Sequence, residues 1–315
     1  MSHARFAVAA LVAGLGFAAP AAAYTINSDV GYDGLRLDGY GSFGLNLLND
    51  DATGAFASGD VDLFSALTGA ATTLSGLISG YINESFAHYI ENSAFPGLPA
   101  PGYDIVVQVL ELDGAGNTLA QAGGLTAVTD FDFVMPTYGV MQIDAADLTL
   151  MKTNNILEDV MLHEMMHALG FGGFYWSANG VLASAGEYIG ASGLSAYEME
   201  YVPGASFIPL EDTGGSGTAG SHWDQEFFGD NAGGSTYDEE LMTGFIGTSS
   251  FLSQTSIFSL QDIGYALGDT VAALNAGPLY YYEPPVSAVP VPAAGGLLAS
   301  ALLGLGVVRR RRRAA

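Results

Sequence analysis

The stretch His163-Glu164-Met165-Met166-His167-Ala168-Leu169-Gly170 decides how this chain of 315 residues is read. Two imidazoles four residues apart stack on one face of a helix, where both can bind a single metal ion. Glu164, one position past the first ring, can reach a water on that metal without ligating it. This is the arrangement of a zinc hydrolase. The flanks predict the helix. Asn155-Ile156-Leu157-Glu158 has the form of a capping box, and Leu157, Val160, Met161 and Ala168 recur at helical spacing. Gly170 then supplies the positive φ favoured just past a helix C-terminus. A core helix whose histidines are only hydrogen-bonded would carry the same residues, so a third ligand has to be sought elsewhere in the chain.

Outside the motif the only histidines are His3, His88 and His222. His3 falls in a segment expected to be removed. His88 sits in residues 71–91, which read as a helix with Leu74, Leu77, Ile78, Tyr81, Ile82 and Tyr89 as its buried stripe. It points away from most of that stripe and reads as a solvated surface residue. His222 remains, in Gly217-Thr218-Ala219-Gly220-Ser221-His222-Trp223. A loop histidine can simply bond to backbone, but zinc needs a third protein ligand and no other imidazole is left to supply it.

Several further blocks then carry a resemblance. Ile208-Pro209-Leu210-Glu211 runs through Gly217-Thr218 to His222-Trp223; Glu240-Leu241-Met242-Thr243-Gly244 and Leu260-Gln261-Asp262-Ile263-Gly264-Tyr265 follow. From about Asn155 to Leu267 the chain resembles the leishmanolysins, a metzincin family whose third histidine lies behind a long insertion. In most metzincins that histidine comes six residues after the second, and here the position is Gly173. The resemblance implies that His163, His167 and His222 hold one catalytic zinc and that Glu164 is the general base. It implies that Met242 forms the methionine turn under the metal, as packing and not as a ligand. It also implies peptide substrates lying extended beside an edge strand. The chain departs from better-known members in having no cysteine, so neither their disulfides nor cysteine-based latency is available.

The fold class expected is α+β, a two-lobed zinc peptidase of metzincin type. Residues 24–173 would form an upper catalytic lobe of mixed sheet and helices ending in the active-site helix. Residues 174–283 would form an irregular lower lobe carrying the third ligand and the methionine turn. Within the upper lobe, residues 103–112 and 138–143 read as strands, with Asp113-Gly114 as a turn signal. No G-x-S-x-G elbow competes as a nucleophile site.

Charge narrows the partners. All 33 acids, but only Arg36 and Lys152 among the bases, lie between the two ends, a net charge of −31 for that stretch. Such a surface repels nucleic acid and anionic membranes. It also raises calcium as a second cation, with Asp113-Gly114-Ala115-Gly116-Asn117 and residues 230–240 as candidate loops, although neither fits the twelve-residue calcium pattern.

The two ends read as addresses. A basic start at Arg5, an apolar run to Ala19 and the small residues Ala21-Ala22-Ala23 form a signal peptide over residues 1–23. Residues 284–315 combine Pro284-Pro285 and Val289-Pro290-Val291-Pro292 with an apolar run and Arg309 to Arg313. This tail resembles PEP-CTERM sorting signals in their VPLPA-like variant. Signal peptidase and an exosortase-type enzyme would then be partners, with delivery to the cell surface or beyond; a plain membrane anchor is the other reading. Two functions stay open at this point. One is an exported zinc endopeptidase; the other is a catalytically silent surface or extracellular matrix or adhesion protein that keeps the same fold. The retained Glu164 favours the enzyme, because a binding module has no use for a general base.

Overall fold

A computed structural model describes residues 35–37, 45–49, 60–93, 103–129, 131–215, 217–225, 240–246 and 250–268. The signal-like start, the sorting-like tail and residues 230–239 lie outside the described residues.

The upper part is one five-stranded sheet with helices against its inner face. Its strands are β1 (Leu35–Leu37), β2 (Leu45–Asn49), β4 (Tyr103–Leu110), β5 (Ala120–Val128) and β6 (Met135–Asp144), in the order β1-β2-β4-β6-β5. β2, β4 and β6 run parallel, while β1 and β5 are antiparallel to their neighbours at the two edges. In β4 the side chains of Ile105, Val107 and Val109 join the core, as do Met141 and Ile143 in β6. This period of two is what a sheet covered on one face by helices requires.

Two helices cover that face. α1 (Val61–Leu77) begins at Asp60, whose side chain accepts from the Leu63 amide and also pairs with Lys152. Its small residues Ala66, Gly69 and Ala70 let α4 (Leu157–Ala168) come close; a Cβ at Gly69 would lie 2.3 Å from the Glu158 carboxylate. α4 is buried almost all round, as expected of a helix with apolar residues on every side. Its far end is locked to the sheet: Gly139 of β6 leaves room for Ala168, and the hydroxyls of Tyr103 and Tyr265 donate to the carbonyls of Ala168 and Leu169. These buried donors satisfy carbonyls that a helix end otherwise leaves without partners.

Two local expectations are corrected. Residues 71–91 are not one helix: α1 stops at Leu77, β3 (Ile78–Tyr81) follows, and α2 (Glu84–Ser93) begins after it. β3 pairs with the distant β10 (Tyr265–Leu267), and Gly80 at φ 155° forms part of the strand. His88, on α2, is exposed as the periodicity implied. The capping box before α4 also does not form. Asn155 adopts φ 57°, the helix starts after Ile156 with no side-chain cap, and the short α3 (Leu148–Thr153) precedes it instead.

Beyond Gly172 the chain forms α5 (Gly173–Ala178), a three-stranded sheet of β7 (Leu182–Ser184), β8 (Glu187–Tyr188) and β9 (Ile208–Pro209), then α6 (Ala191–Glu200) and α7 (Gln254–Asp262). α6 and α7 cap one another. Asp262 accepts from the Ser192 and Gly193 amides at 2.8 Å, and Glu200 accepts from the Gln254 and Thr255 amides at 2.9 and 2.8 Å. Each carboxylate thus sits at the positive end of the partner helix. No described helix is long and apolar enough to cross a membrane.

Candidate metal centre and substrate cleft

Two elements far apart in sequence bring three rings together. His163 and His167 come from α4, one turn apart, and His222 comes from the loop before Trp223. Their Nε2 atoms lie 3.1 Å (163 to 222), 3.1 Å (163 to 167) and 3.0 Å (167 to 222) apart. Each Nδ1 faces a backbone carbonyl: Leu241 O at 2.6 Å, Phe171 O at 2.9 Å and Thr218 O at 3.0 Å for His163, His167 and His222. A carbonyl only accepts, so each Nδ1 carries the hydrogen and each neutral ring turns its lone pair inward. Burial reinforces neutrality, pushing His163 down to about 3 and lowering His167 and His222 as well. Three lone pairs within 3.1 Å repel one another unless a cation lies between them, and the donor set is the one zinc prefers. Among the described residues this is the one group of at least three such side chains whose ligand atoms converge.

Glu164 is buried beside the rings, and its Oε2 has no hydrogen-bond partner among the described residues. Burial pushes its carboxyl up to about 8. A sealed carboxylate oxygen without a donor invites a polar group arriving from the cleft. Met242, expected as packing, is fully buried; its amide donates to Glu240 Oε2 at 2.6 Å and its carbonyl accepts from the Trp223 amide at 3.1 Å. The turn therefore touches the site twice, at Trp223 and through the Leu241 carbonyl on His163.

Glu240, which the sequence offered only as the end of a candidate calcium loop and as part of the methionine block, organises this floor. It is buried, and Oε1 accepts from the Ser253 and Ser256 hydroxyls at 2.8 and 2.6 Å, while Ser256 Oγ accepts from Trp223 Nε1 at 2.8 Å. One carboxylate thus links the turn, α7 and the residue next to His222. Behind it, Trp223 stacks on Trp176 (ring centroids 4.9 Å apart, planes at 21°) and meets Phe171 and Tyr188 edge-on.

Gly172 and Gly173 hold the loop of His222 in place. Gly172 has φ 100° and ψ 174°, and a Cβ there would lie 2.7 Å from the Ser221 carbonyl oxygen. Gly173, where most metzincins would carry the third histidine, instead donates its amide to the Gly220 carbonyl at 3.3 Å. The backbone after α4 thereby clamps the loop that delivers His222.

The rings open on a cleft of about 800 Å³. One wall is β5, the edge strand of its sheet, which among the described residues pairs only with β6. Leu150, Val160, Phe245 and Ile246 line it elsewhere, and among the described residues Glu164 is the sole acid or base on its walls besides the histidines and Tyr175. The calcium expectation finds no support. In the 113–118 loop the amides of Asp113 and Gly114 donate to Asp144 and that of Gly116 to Asp147, so donors rather than carbonyls face these carboxylates. The other candidate loop lies outside the described residues, apart from Glu240.

The family model for leishmanolysin matches residues 100–274. The chain belongs to the leishmanolysin family. That family consists of zinc metalloendopeptidases and brings the metzincin-like α+β fold seen here. A leishmanolysin homolog from Crithidia fasciculata is 28% identical over 177 residues, covering 51% of this chain and 24% of the relative. Leishmanolysin from Leishmania donovani is 30% identical over 156 residues, covering 46% and 26%, and that from Leishmania major 28% over 130 residues, covering 38% and 21%. The chain thus spans about a quarter of the length of the curated leishmanolysins it matches.

Proposed function

We propose that this chain is an exported zinc-dependent endopeptidase in which His163, His167 and His222 hold one zinc ion and Glu164 is the general base. The observation that carries the reading is the convergence of three inward-facing Nε2 atoms beside a buried carboxylate, in a cleft bordered by the edge strand of the described sheet. Zinc, when bound, supplies Lewis acidity that activates water and polarises a peptide carbonyl. The protein's own residues do the rest. The three carbonyls on the Nδ1 atoms fix the ring orientation and tautomer. Glu164 Oε2 takes the proton of the attacking water and returns it to the leaving amine. β5 offers backbone groups to an extended substrate, which binds by adding a strand to the sheet.

Residues 1–23 act in this reading as the signal peptide. Residues 24–173 and 174–283 are the two lobes around the cleft, and residues 284–315 are the sorting tail read by an exosortase-type enzyme. Family membership supports protein substrates. The test is casein cleavage by the purified protein, with and without a zinc chelator, beside Glu164→Ala. Cleavage that needs metal and Glu164 is expected. A zinc-loaded wild-type protein that cleaves nothing would instead favour the silent surface or matrix protein.

A further inference from the structure

Three glutamines stand side by side across the outer face of the main sheet. The register sets Gln108 of β4 opposite Gln142 of β6, and Gln142 opposite Gln121 of β5. Their neighbours Val107, Met141 and Ala122 belong to the core, so the glutamines project from the other face. They are bonded head to tail: Gln121 Nε2 donates to Gln142 Oε1 at 2.7 Å, and Gln142 Nε2 donates to Gln108 Oε1 at 2.8 Å. Gln142, in the middle, is 8% exposed, so its amide is specified by its two partners. The chain of amides ends at the sheet edge. There Gln121, which lines the cleft, leaves its Oε1 without a hydrogen from any described residue.

We propose that Gln121 is a specificity-determining residue, which selects a glutamine or asparagine side chain at one position of an extended peptide substrate. The inference rests on the peptidase reading above and on strand addition to β5. A strand added at that edge lies about 4.8 Å from β5, the same step that separates the three glutamines. Its residue opposite Gln121 then presents its side chain on the outer face, in line with the ladder. An amide there donates to Gln121 Oε1 and becomes a fourth rung, as stacked glutamines do in other sheets. An aliphatic side chain leaves that acceptor to water. An acidic one sets acceptor against acceptor, in a protein that already carries a net charge of −25. Gln121 acts through a substrate side chain and not on the reacting atoms.

The test is a glutamine scan of an uncharged extended peptide, each position in turn carrying glutamine or norleucine. The wild-type protein is expected to cleave the glutamine peptide faster at one position, by about three- to tenfold in kcat/KM, the range of one net hydrogen bond. In Gln121→Leu that ratio falls to one at the same position; a purely structural role for Gln121 would lower both peptides together and leave the ratio unchanged. Fluorescence anisotropy of the same peptides on zinc-loaded Glu164→Ala gives an independent ratio of Kd values that needs no turnover. Equal affinities at every position, or a preference that survives Gln121→Leu, overturns the ladder. Absence of cleavage with a Gln121-dependent affinity ratio overturns the peptidase reading and leaves the ladder standing.

Discussion

Replacing Gly172 by alanine tests whether the backbone after the active-site helix sets the position of His222. Gly172 occupies φ 100°, ψ 174°, a region open essentially only to glycine, which costs another residue about 1–3 kcal/mol. The new Cβ would also sit 2.7 Å from the Ser221 carbonyl oxygen and 3.1 Å from its Cα, against a backbone that cannot swing aside like a side chain. Restoring an ordinary contact of 3.4 Å requires about 0.7 Å of movement at the residue next to His222. Metal sites tolerate roughly 0.2 Å in ligand distance, so the third nitrogen leaves its place. The expected result is a weakening of zinc binding by about 10–100-fold, the loss seen when groups supporting a ligand are removed. Stability should fall by a few kcal/mol, at about 2–4 °C in Tm for each. Competition with a chromophoric chelator reads the first quantity and thermal unfolding with and without zinc reads the second. Gly186→Ala is the control, since a Cβ there meets nothing within 4 Å. Wild-type zinc affinity in Gly172→Ala, with an unchanged Tm, would refute the clamp.

Four further outcomes are expected. Glu164→Ala should retain one zinc by elemental analysis while losing about 10²–10⁴-fold or more in turnover; undiminished casein cleavage would remove Glu164 from the mechanism. Glu240→Ala should cost more than about 3 kcal/mol and weaken zinc binding although Glu240 is no ligand, because four donors from the Met242 amide, Ser253 and Ser256 lose their acceptor; denaturant unfolding and zinc titration together check this. Burial and the neighbouring Glu158 raise Asp159 to about 7, so the fold favours its protonated form, and the stability this contributes below pH 4 is lost as pH rises through 7. The stability of wild type minus that of Asp159→Asn should therefore fall between about pH 4 and pH 7, by about 1.4 kcal/mol per unit, and level off above that; a constant difference would contradict it. Mass spectrometry of the mature protein from a host with the sorting enzyme should find an N-terminus near Tyr24 and no peptide spanning Leu297 to Arg309; an intact C-terminus recovered from membranes would favour the plain anchor.

What the sequence determined by itself was local or rested on scarcity. The pairing of His163 with His167 follows from helical spacing alone, and Gly170 at φ 96° ends the helix where a positive φ was expected. β4 declared itself through alternation. His222 could be singled out because so few histidines exist and because the block around it resembles the leishmanolysins; its own spacing from the helix announces no ligand. The tertiary structure decided the rest. β5 opens as Ala120-Gln121-Ala122-Gly123-Gly124, small and polar residues with two adjacent glycines, and its strand form there comes from pairing with β6 and not from its own propensity. The break after Leu77 arises likewise, since Ile78 to Tyr81 gain a partner in β10, nearly two hundred residues later. The same holds for the clamp at Gly172 and the anchor at Glu240. Each depends on which backbone lies opposite, and a sequence records what a residue prefers, not what the fold places against it.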